Sequence, residues 1–145
     1  MNLPAFYDKL FPSLAKLVIQ NIKNQIKGRL FNSAPFGSSL AEKTLHRRRL
    51  RGNSRTTALF DTGDFVNQMK HKRITNGAAV FSTGKTVKEQ EAFVLGTNRI
   101  PERNPFVSDL PVPRGGTIND LVVAVAGKKT IRYIDKEISK LKGVT

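Results

Sequence analysis

The sequence predicts an α+β fold in which a small antiparallel β-sheet packs with amphipathic helices from both ends of the chain. Apolar residues recur at three- and four-residue spacing from Ser13 to Gly28 and again from Thr117 to Leu141, which predicts a helix in each segment. Between them, the segment KHKRITNGAAVFST predicts two short strands around Asn76-Gly77, a dipeptide typical of hairpin turns.

Local signals place the other elements of a single domain over 1–145. Residues 1–12 are apolar and aromatic with two prolines, and we expect them to form an arm before the first helix. Two capping boxes, Ser39 to Glu42 and Thr86 to Glu89, predict a helix from Leu40 to about Arg49 and another that ends at Gly96. Prolines and glycines predict an extended path over 97–116, with an extended loop at 108–116 that has no apolar periodicity typical of a core segment. The unbroken β-branched run at 121–126 leaves a strand as an alternative to the last helix.

Composition narrows the function classes. The 145 residues carry a formal charge of +14, which favours an acidic partner such as nucleic acid or an acidic protein surface. The absence of cysteine excludes disulfides and thiolate metal sites, and His46 and His71 alone do not make a metal site. We therefore expect no metal and no cofactor. We also expect no secretory signal and no membrane contact, because the longest apolar run is only six residues.

The tripeptide Asp61-Thr62-Gly63 has two interpretations. Aspartic peptidases use such a turn to bring two carboxylates together, and a chain with one copy would have to form a dimer. Here Asp64 follows at once and the next residues have a helical pattern, which favours a structural turn instead. In that case Asp61 or Thr62 caps a short helix and Gly63 permits the tight turn. A capping role for Asp61 predicts that Asp61→Asn has a mild effect, since Asn caps about as well as Asp.

Two basic clusters are candidate contacts for DNA or for an acidic partner. Their spacing fits phosphate contacts, but no zinc finger, helix-turn-helix or RNA-binding signature accompanies them. A basic, non-specific nucleic-acid-binding module is therefore an alternative function. The candidate residues, which we expect to be exposed, are Arg47, Arg48, Arg49, Arg51, Arg55, Lys70, Lys72 and Arg73.

Three segments in order resemble the phage virion morphogenesis family, the tail-completion and neck proteins of tailed bacteriophages. The segments are LAEKTLHRRR, ALFDTGDFVNQMK and, after the hairpin, EAFVLGTNRIPERNPF. The resemblance covers roughly residues 38–107. The chain departs from the family pattern at Phe36, near which a tryptophan is usual, at Phe93-Val94, which replace His-Glu, and at Asn104, which interrupts Arg-Pro-Phe.

The resemblance implies a non-enzymatic structural protein of the virion. It would be assembled in the host cytoplasm and lie at the head–tail interface, where copies form a homo-oligomeric ring between connector or neck proteins and the tail. It implies that Asp61, Thr62 and Gly63 form a structural turn beside an ordered element that contains Pro101, Arg103, Pro105 and Phe106. We expect Asp61 or Asp64 to pair with Arg103. The arm and the 108–116 loop are expected to join neighbouring copies through Phe6, Tyr7, Phe11, Leu110 and Val112.

Overall fold

The computed structural model describes residues 2–143 as helices at both ends of the chain and a hairpin between them. The N-terminal and C-terminal helices pack on this two-stranded antiparallel sheet, so the predicted α+β class is confirmed. A turn of 3-10 helix covers Leu30–Asn32. The helices are α1 (Leu3–Lys27), α2 (Glu42–Leu50), α3 (Asp64–Asn67), α4 (Val87–Leu95) and α5 (Ile118–Gly143), and the strands are β1 (Met69–Ile74) and β2 (Gly77–Ser82).

The chain divides into two compact units, each with its own buried residues. The first comprises Met1–Val18, His71–Val80 and Ser108–Thr145, and its buried apolar side chains include Leu10 and Leu110. The second comprises Ile19–Lys70 and Phe81–Val107. Its core contains Ile19, Ile22, Ile26, Phe31, Ala58, Phe65, Val66 and Met69. That the whole of 1–145 is a single domain stays a prediction.

The expected N-terminal arm is instead the first part of α1, which begins at Leu3 and includes Pro12. A proline inside a helix costs roughly 3 kcal/mol, because it lacks an N–H donor and crowds the preceding turn. Aromatic side chains in the turns before Pro12 pack within the chain. The ring of Phe6 stacks on Tyr133 at 4.4 Å, and Tyr7 stacks on Phe11 at 5.4 Å. The three aromatic residues assigned to an arm thus make contacts within their own chain.

The predicted capping box at the start of α2 is absent. The helix begins at Glu42, two residues later than expected, and its N-cap is Ala41 with no side-chain hydrogen bond. Ser39 is used elsewhere, because its hydroxyl donates to the carbonyl of Asn32 at 3.5 Å and its own carbonyl accepts from Arg103 at 3.4 Å. Tertiary partners therefore replace the local cap.

Local signals in the middle of the chain are confirmed. The hairpin turns at Thr75 and Asn76, although neither Asn76 nor Gly77 has a positive φ. The capping box of α4 is complete, with Thr86 Oγ1 accepting from the backbone N–H of Glu89 at 3.2 Å and Glu89 accepting from that of Thr86 at 3.3 Å. Gly96 ends α4 at φ +76°, as the sequence predicts.

The last helix is confirmed, and the alternative strand at 121–126 is wrong. Thr117 and Asp120 exchange two hydrogen bonds between side chain and backbone, which fixes the start of α5. The expectation that the 108–116 loop lies outside the core is wrong for Leu110, which is fully buried. Its carbonyl accepts from the N–H of Ile118 at 2.7 Å, and the N–H of Val112 donates to Gly116 at 3.2 Å, so the loop is held against the start of α5.

Candidate functional site: the Asp61 turn and its arginines

The Asp61-Thr62-Gly63 tripeptide forms a turn that leads directly into α3. Gly63 has φ +95°, a left-handed conformation that glycine adopts without penalty, as its position in the sequence predicts. A Cβ atom there would lie 2.9 Å from Nδ2 of Asn67. Thr62 Oγ1 accepts a long hydrogen bond of 3.4 Å from the N–H of Asp64. The helix N-cap is Gly63 itself, so the expectation that Asp61 or Thr62 occupies the cap position is wrong.

The carboxylate of Asp61 acts as a counterion rather than as a cap. It accepts from Arg51 at 2.8 Å and from the side-chain amide of Asn53 at 2.8 Å, and Nε of Arg48 lies 3.6 Å away. Partial burial raises the pKa of Asp61, but the hydrogen bonds from Arg51 and Asn53 and the charges of Arg48 and Arg51 outweigh it, so its pKa lies below the usual value. Asp61 is therefore held in its ionised form.

Arg48 is buried, which corrects its assignment as an exposed contact for DNA or an acidic partner. One terminal nitrogen of its guanidinium donates to the carbonyls of Arg55, Thr57 and Phe60 at 3.1, 3.0 and 3.4 Å. Burial lowers the pKa of Arg48, the charge of Asp61 raises it, and the charges of Arg51 and Arg55 lower it further. A guanidinium nevertheless keeps its proton in proteins, so this residue joins α2 to the segment before the turn as a cation.

Arg103 is also buried, but no carboxylate among the described residues binds it. Its Nε donates to the carbonyl of Phe31 at 3.1 Å and a terminal nitrogen donates to the carbonyl of Ser38 at 2.8 Å. The expected pairing with Asp61 or Asp64 is therefore wrong. Burial lowers the pKa of Arg103, and the charge of Arg48 lowers it further. Backbone carbonyls over 31–39 take the place of a counterion.

The proline element around Arg103 contributes to the core of the same unit. Pro105 is fully buried, whereas Pro101 is exposed. The ring of Phe65, which follows the turn, has edge-to-face contacts with Phe93 at 5.0 Å and Phe106 at 6.2 Å. The arginine and Pro105 therefore anchor this irregular segment to the core, together with the hydrogen bond from the N–H of Arg103 to the carbonyl of Phe93 at 2.6 Å.

The other basic residues of the candidate set have varied environments. Arg47, Lys70 and Lys72 are exposed. Arg49 pairs with Glu42 at 2.5 Å, and Arg55 lies 4.4 Å from the ring centroid of Phe60 and donates to the carbonyl of Asp61. Arg73, in the other unit, pairs with Asp8 at 3.4 Å and lies 4.7 Å from the ring centroid of Phe11. Four of the eight cations assigned to a partner thus have an acidic side chain of their own chain within 4 Å, namely Arg48, Arg49, Arg51 and Arg73.

A small cavity of about 180 Å³ lies beside the turn, lined by Asp61, Asp64, Arg48, Lys85 and Arg103 among others. Across residues 2–143, no group of three or more metal-ligating side chains comes together.

Sequence reasoning missed two residues that position the turn. A Cβ on Gly84 would lie 1.9 Å from the carbonyl oxygen of Asp64, and Ser82 donates to the carbonyl of Phe65 at 2.7 Å. Gly84 is the middle residue of the Thr83-Gly84-Lys85 bend, but the carbonyl that leaves no room for a Cβ belongs to a residue twenty positions earlier in the sequence.

Comparison with protein-family models, with curated proteins and with solved structures found no match. None of the helices in the described part of the chain combines the length and the apolar character that crossing a membrane requires.

Proposed function

We propose that this protein is a non-enzymatic structural component of a tailed-phage virion and acts at the head–tail junction. Copies arranged in a ring would join connector or neck proteins to the tail. The observation that carries the proposal is the order of the resembling segments: a basic helix, an Asp-Thr-Gly turn, a hairpin and a proline element with a central arginine. In support, the turn leads into the short helix α3 ahead of the hairpin, and Arg103 and Pro105 are buried.

The geometry of Asp61 favours this proposal over a dimeric aspartic peptidase. A peptidase dyad needs two carboxylates that share one proton close together. Asp61 instead accepts hydrogen bonds from Arg51 and Asn53, and its pKa is lowered. The positive charges of Arg48 and Arg51 beside Asp61 favour its ionised form, whereas a dyad keeps one carboxyl protonated. An Asp61→Asn variant that stayed folded but lost a peptidase activity of the wild type would refute the structural assignment.

The mechanism that we propose is assembly through complementary surfaces. The chain carries +14 charges, and the exposed cations Arg47, Lys70 and Lys72 are available for an acidic neighbour. Charge complementarity raises the rate of encounter and selects the partner, while burial of apolar surface supplies most of the affinity. Arg48 and Arg103 are buried, so they would stabilise the fold beneath this basic surface without contacting the neighbour.

The direct test is made in the phage that encodes the chain. Quantitative mass spectrometry of purified virions should find the protein at several copies per particle. A phage with a nonsense mutation in the gene should accumulate separate heads and tails by electron microscopy, and wild-type protein supplied in trans should restore joined particles. Absence of the protein from virions, together with normal particles from the mutant phage, would overturn the proposal.

The alternative is a basic, non-specific nucleic-acid-binding module, which the exposed cations favour. Each phosphate contact contributes a slope of about −0.9 to a plot of log K against log salt. The triple variant Arg47→Glu, Lys70→Glu, Lys72→Glu should therefore reduce the slope measured with duplex DNA if these residues meet phosphates. Tight binding by wild type with a steep slope, in a protein absent from virions, would favour this alternative.

A further inference from the structure

A groove of about 700 Å³ is lined by the first turns of α1 and the second half of α5, within the first of the two compact units. Most of the lining residues recur at three- and four-residue spacing, so one face of each helix forms a wall of the groove. Its apolar surface comes from Ala5, Phe6, Leu10 and Tyr133, and the rings of Phe6 and Tyr133 stack at 4.4 Å. The lining along α5 covers 129–140, which at a rise of 1.5 Å per residue is about 16 Å, or three helical turns.

Cations dominate the charged lining of this groove, and most of them have no partner in the chain. The basic lining residues are Lys9, Lys129, Arg132, Lys136 and Lys140, and the acidic ones are Asp135 and Glu137. Glu137 pairs with Lys140 at 3.3 Å and its side chain is only 19% exposed, so this carboxylate is already used within the chain. Among residues 2–143, the other four cations take part in no ion pair. The groove therefore presents four unpaired positive charges against the single carboxylate of Asp135.

We propose that this groove binds an amphipathic, acidic helix of a partner protein. The apolar face of such a helix would cover Phe6 and Tyr133, and its carboxylates would meet the unpaired cations. Charge complementarity also selects against a second copy of this chain, which carries +14 charges itself. Duplex nucleic acid fits the groove less well, because it would place phosphates beside Asp135 and has no apolar side chains to cover the aromatic rings.

This inference goes beyond the proposed function and does not depend on it. The exposed cations assigned above to an acidic neighbour, Arg47, Lys70 and Lys72, do not line the groove. The groove also gives Phe6 a role other than that of an arm between copies, since its ring contacts Tyr133 of the same chain and lines the binding site. A groove that binds no acidic helix would leave the copy number in virions untouched, so the two proposals fail separately.

Fluorescence anisotropy with the purified full chain tests the occupant, at about 0.15 M salt, where the Debye length is about 8 Å. The probe is a labelled synthetic peptide of about twelve residues that carries leucine on one helical face and glutamate on the other. A second peptide contains the same residues in an order that breaks the apolar face. The amphipathic peptide should bind at least about tenfold more tightly than the second peptide. Equal binding of the two, or no binding at millimolar peptide, would overturn the proposal.

Two triple variants with the same net charge locate the binding site on the protein. The groove variant is Lys9→Gln, Lys129→Gln, Lys136→Gln, and it should bind the amphipathic peptide about tenfold more weakly than wild type. The matched control removes three exposed lysines that do not line the groove: Lys16→Gln, Lys43→Gln, Lys88→Gln. The control should stay within about threefold of wild type, because only attraction at a distance changes. Circular dichroism checks that both variants keep the wild-type helix content, and equal weakening of the two would overturn the groove as the site.

A substitution at Ala5 tests the role of charge inside the groove itself. Ala5 lines the groove and is exposed in the first turn of α1, where a carboxylate suits the helix dipole, so Ala5→Glu should fold normally. It should bind the amphipathic peptide at least about fivefold more weakly than Ala5→Gln, which has nearly the same size but no charge. Equal binding by these two variants would overturn the charge complementarity. Loss of duplex DNA binding in the groove variant, with peptide binding unchanged, would assign the groove to nucleic acid and overturn the acidic helix as its occupant.

Discussion

Replacing Asp61 by asparagine tests the counterion role that the structure gives this residue. The substitution keeps the size and one oxygen acceptor of the side chain but removes the negative charge that Arg48 and Arg51 share. Removing one partner of a fully buried ion pair costs about 3–5 kcal/mol. Here Arg48 retains carbonyl acceptors and the side chain of Asp61 is 27% exposed, so we expect a loss of about 2–3 kcal/mol. A capping role would predict almost no change.

Urea unfolding followed by circular dichroism at 222 nm measures this loss, since the chain contains no tryptophan. Asp64→Asn is the matched control, because Asp64 belongs to the same turn but is exposed, and its loss should stay below about 1 kcal/mol. A double-mutant cycle with Arg48→Met should give a coupling energy of about 1–2 kcal/mol. An ordinary surface substitution changes the free energy of unfolding by less than about 0.5 kcal/mol. A change of that size in Asp61→Asn would refute the counterion role.

The pH dependence provides a second measurement of the same pair. The folded pKa of Asp61 lies below its unfolded value of about 3.9, so ionised Asp61 stabilises the fold. This contribution is fully present well above the unfolded pKa and is lost as the pH falls through the folded pKa. Other carboxylates titrate in the same range, so the relevant quantity is the difference between wild type and Asp61→Asn. That difference should shrink as the pH is lowered from 6 to 3, and a constant difference would contradict the argument.

Three further substitutions, one of them with a matched control, test individual contacts by the same urea assay. Gly63→Ala places a Cβ atom at φ +95° and against the side chain of Asn67, so it should cost about 1–3 kcal/mol of unfolding free energy. The matched control is Gly77→Ala, which should cost under about 1 kcal/mol because nothing lies within 4 Å of the added Cβ. Arg103→Lys should cost about 2–4 kcal/mol, because an ammonium group does not reproduce the fork that binds two separated carbonyls. Thr86→Ala should cost about 1 kcal/mol through loss of the capping box. The argument for Gly63 would be contradicted if Gly63→Ala were as stable as Gly77→Ala. The contacts of Arg103 and of Thr86 would be contradicted if Arg103→Lys or Thr86→Ala were as stable as the wild type.

Features with a complete local signal were determined by the sequence itself. The hairpin, the helix between Thr86 and Gly96, the left-handed turn at Gly63 and the C-terminal helix were all predicted. Each depends on groups a few residues apart: a cap and its acceptor, a glycine free of a Cβ, or an apolar face repeated every third or fourth residue. Such interactions form between neighbouring residues unless a distant segment competes for the same groups, as Asn32 and Arg103 do for Ser39.

The burial of the two arginines was decided only by the tertiary structure. Arg48 stands between two exposed arginines and nothing in RRR distinguishes it, and Arg103 finds its acceptors 64–72 residues earlier in the chain. The same holds for Pro12 inside α1 and for Gly84 beside the carbonyl of Asp64. A buried charge or a buried carbonyl must find a partner wherever the fold supplies one, so the identity of that partner depends on packing between distant segments rather than on local sequence.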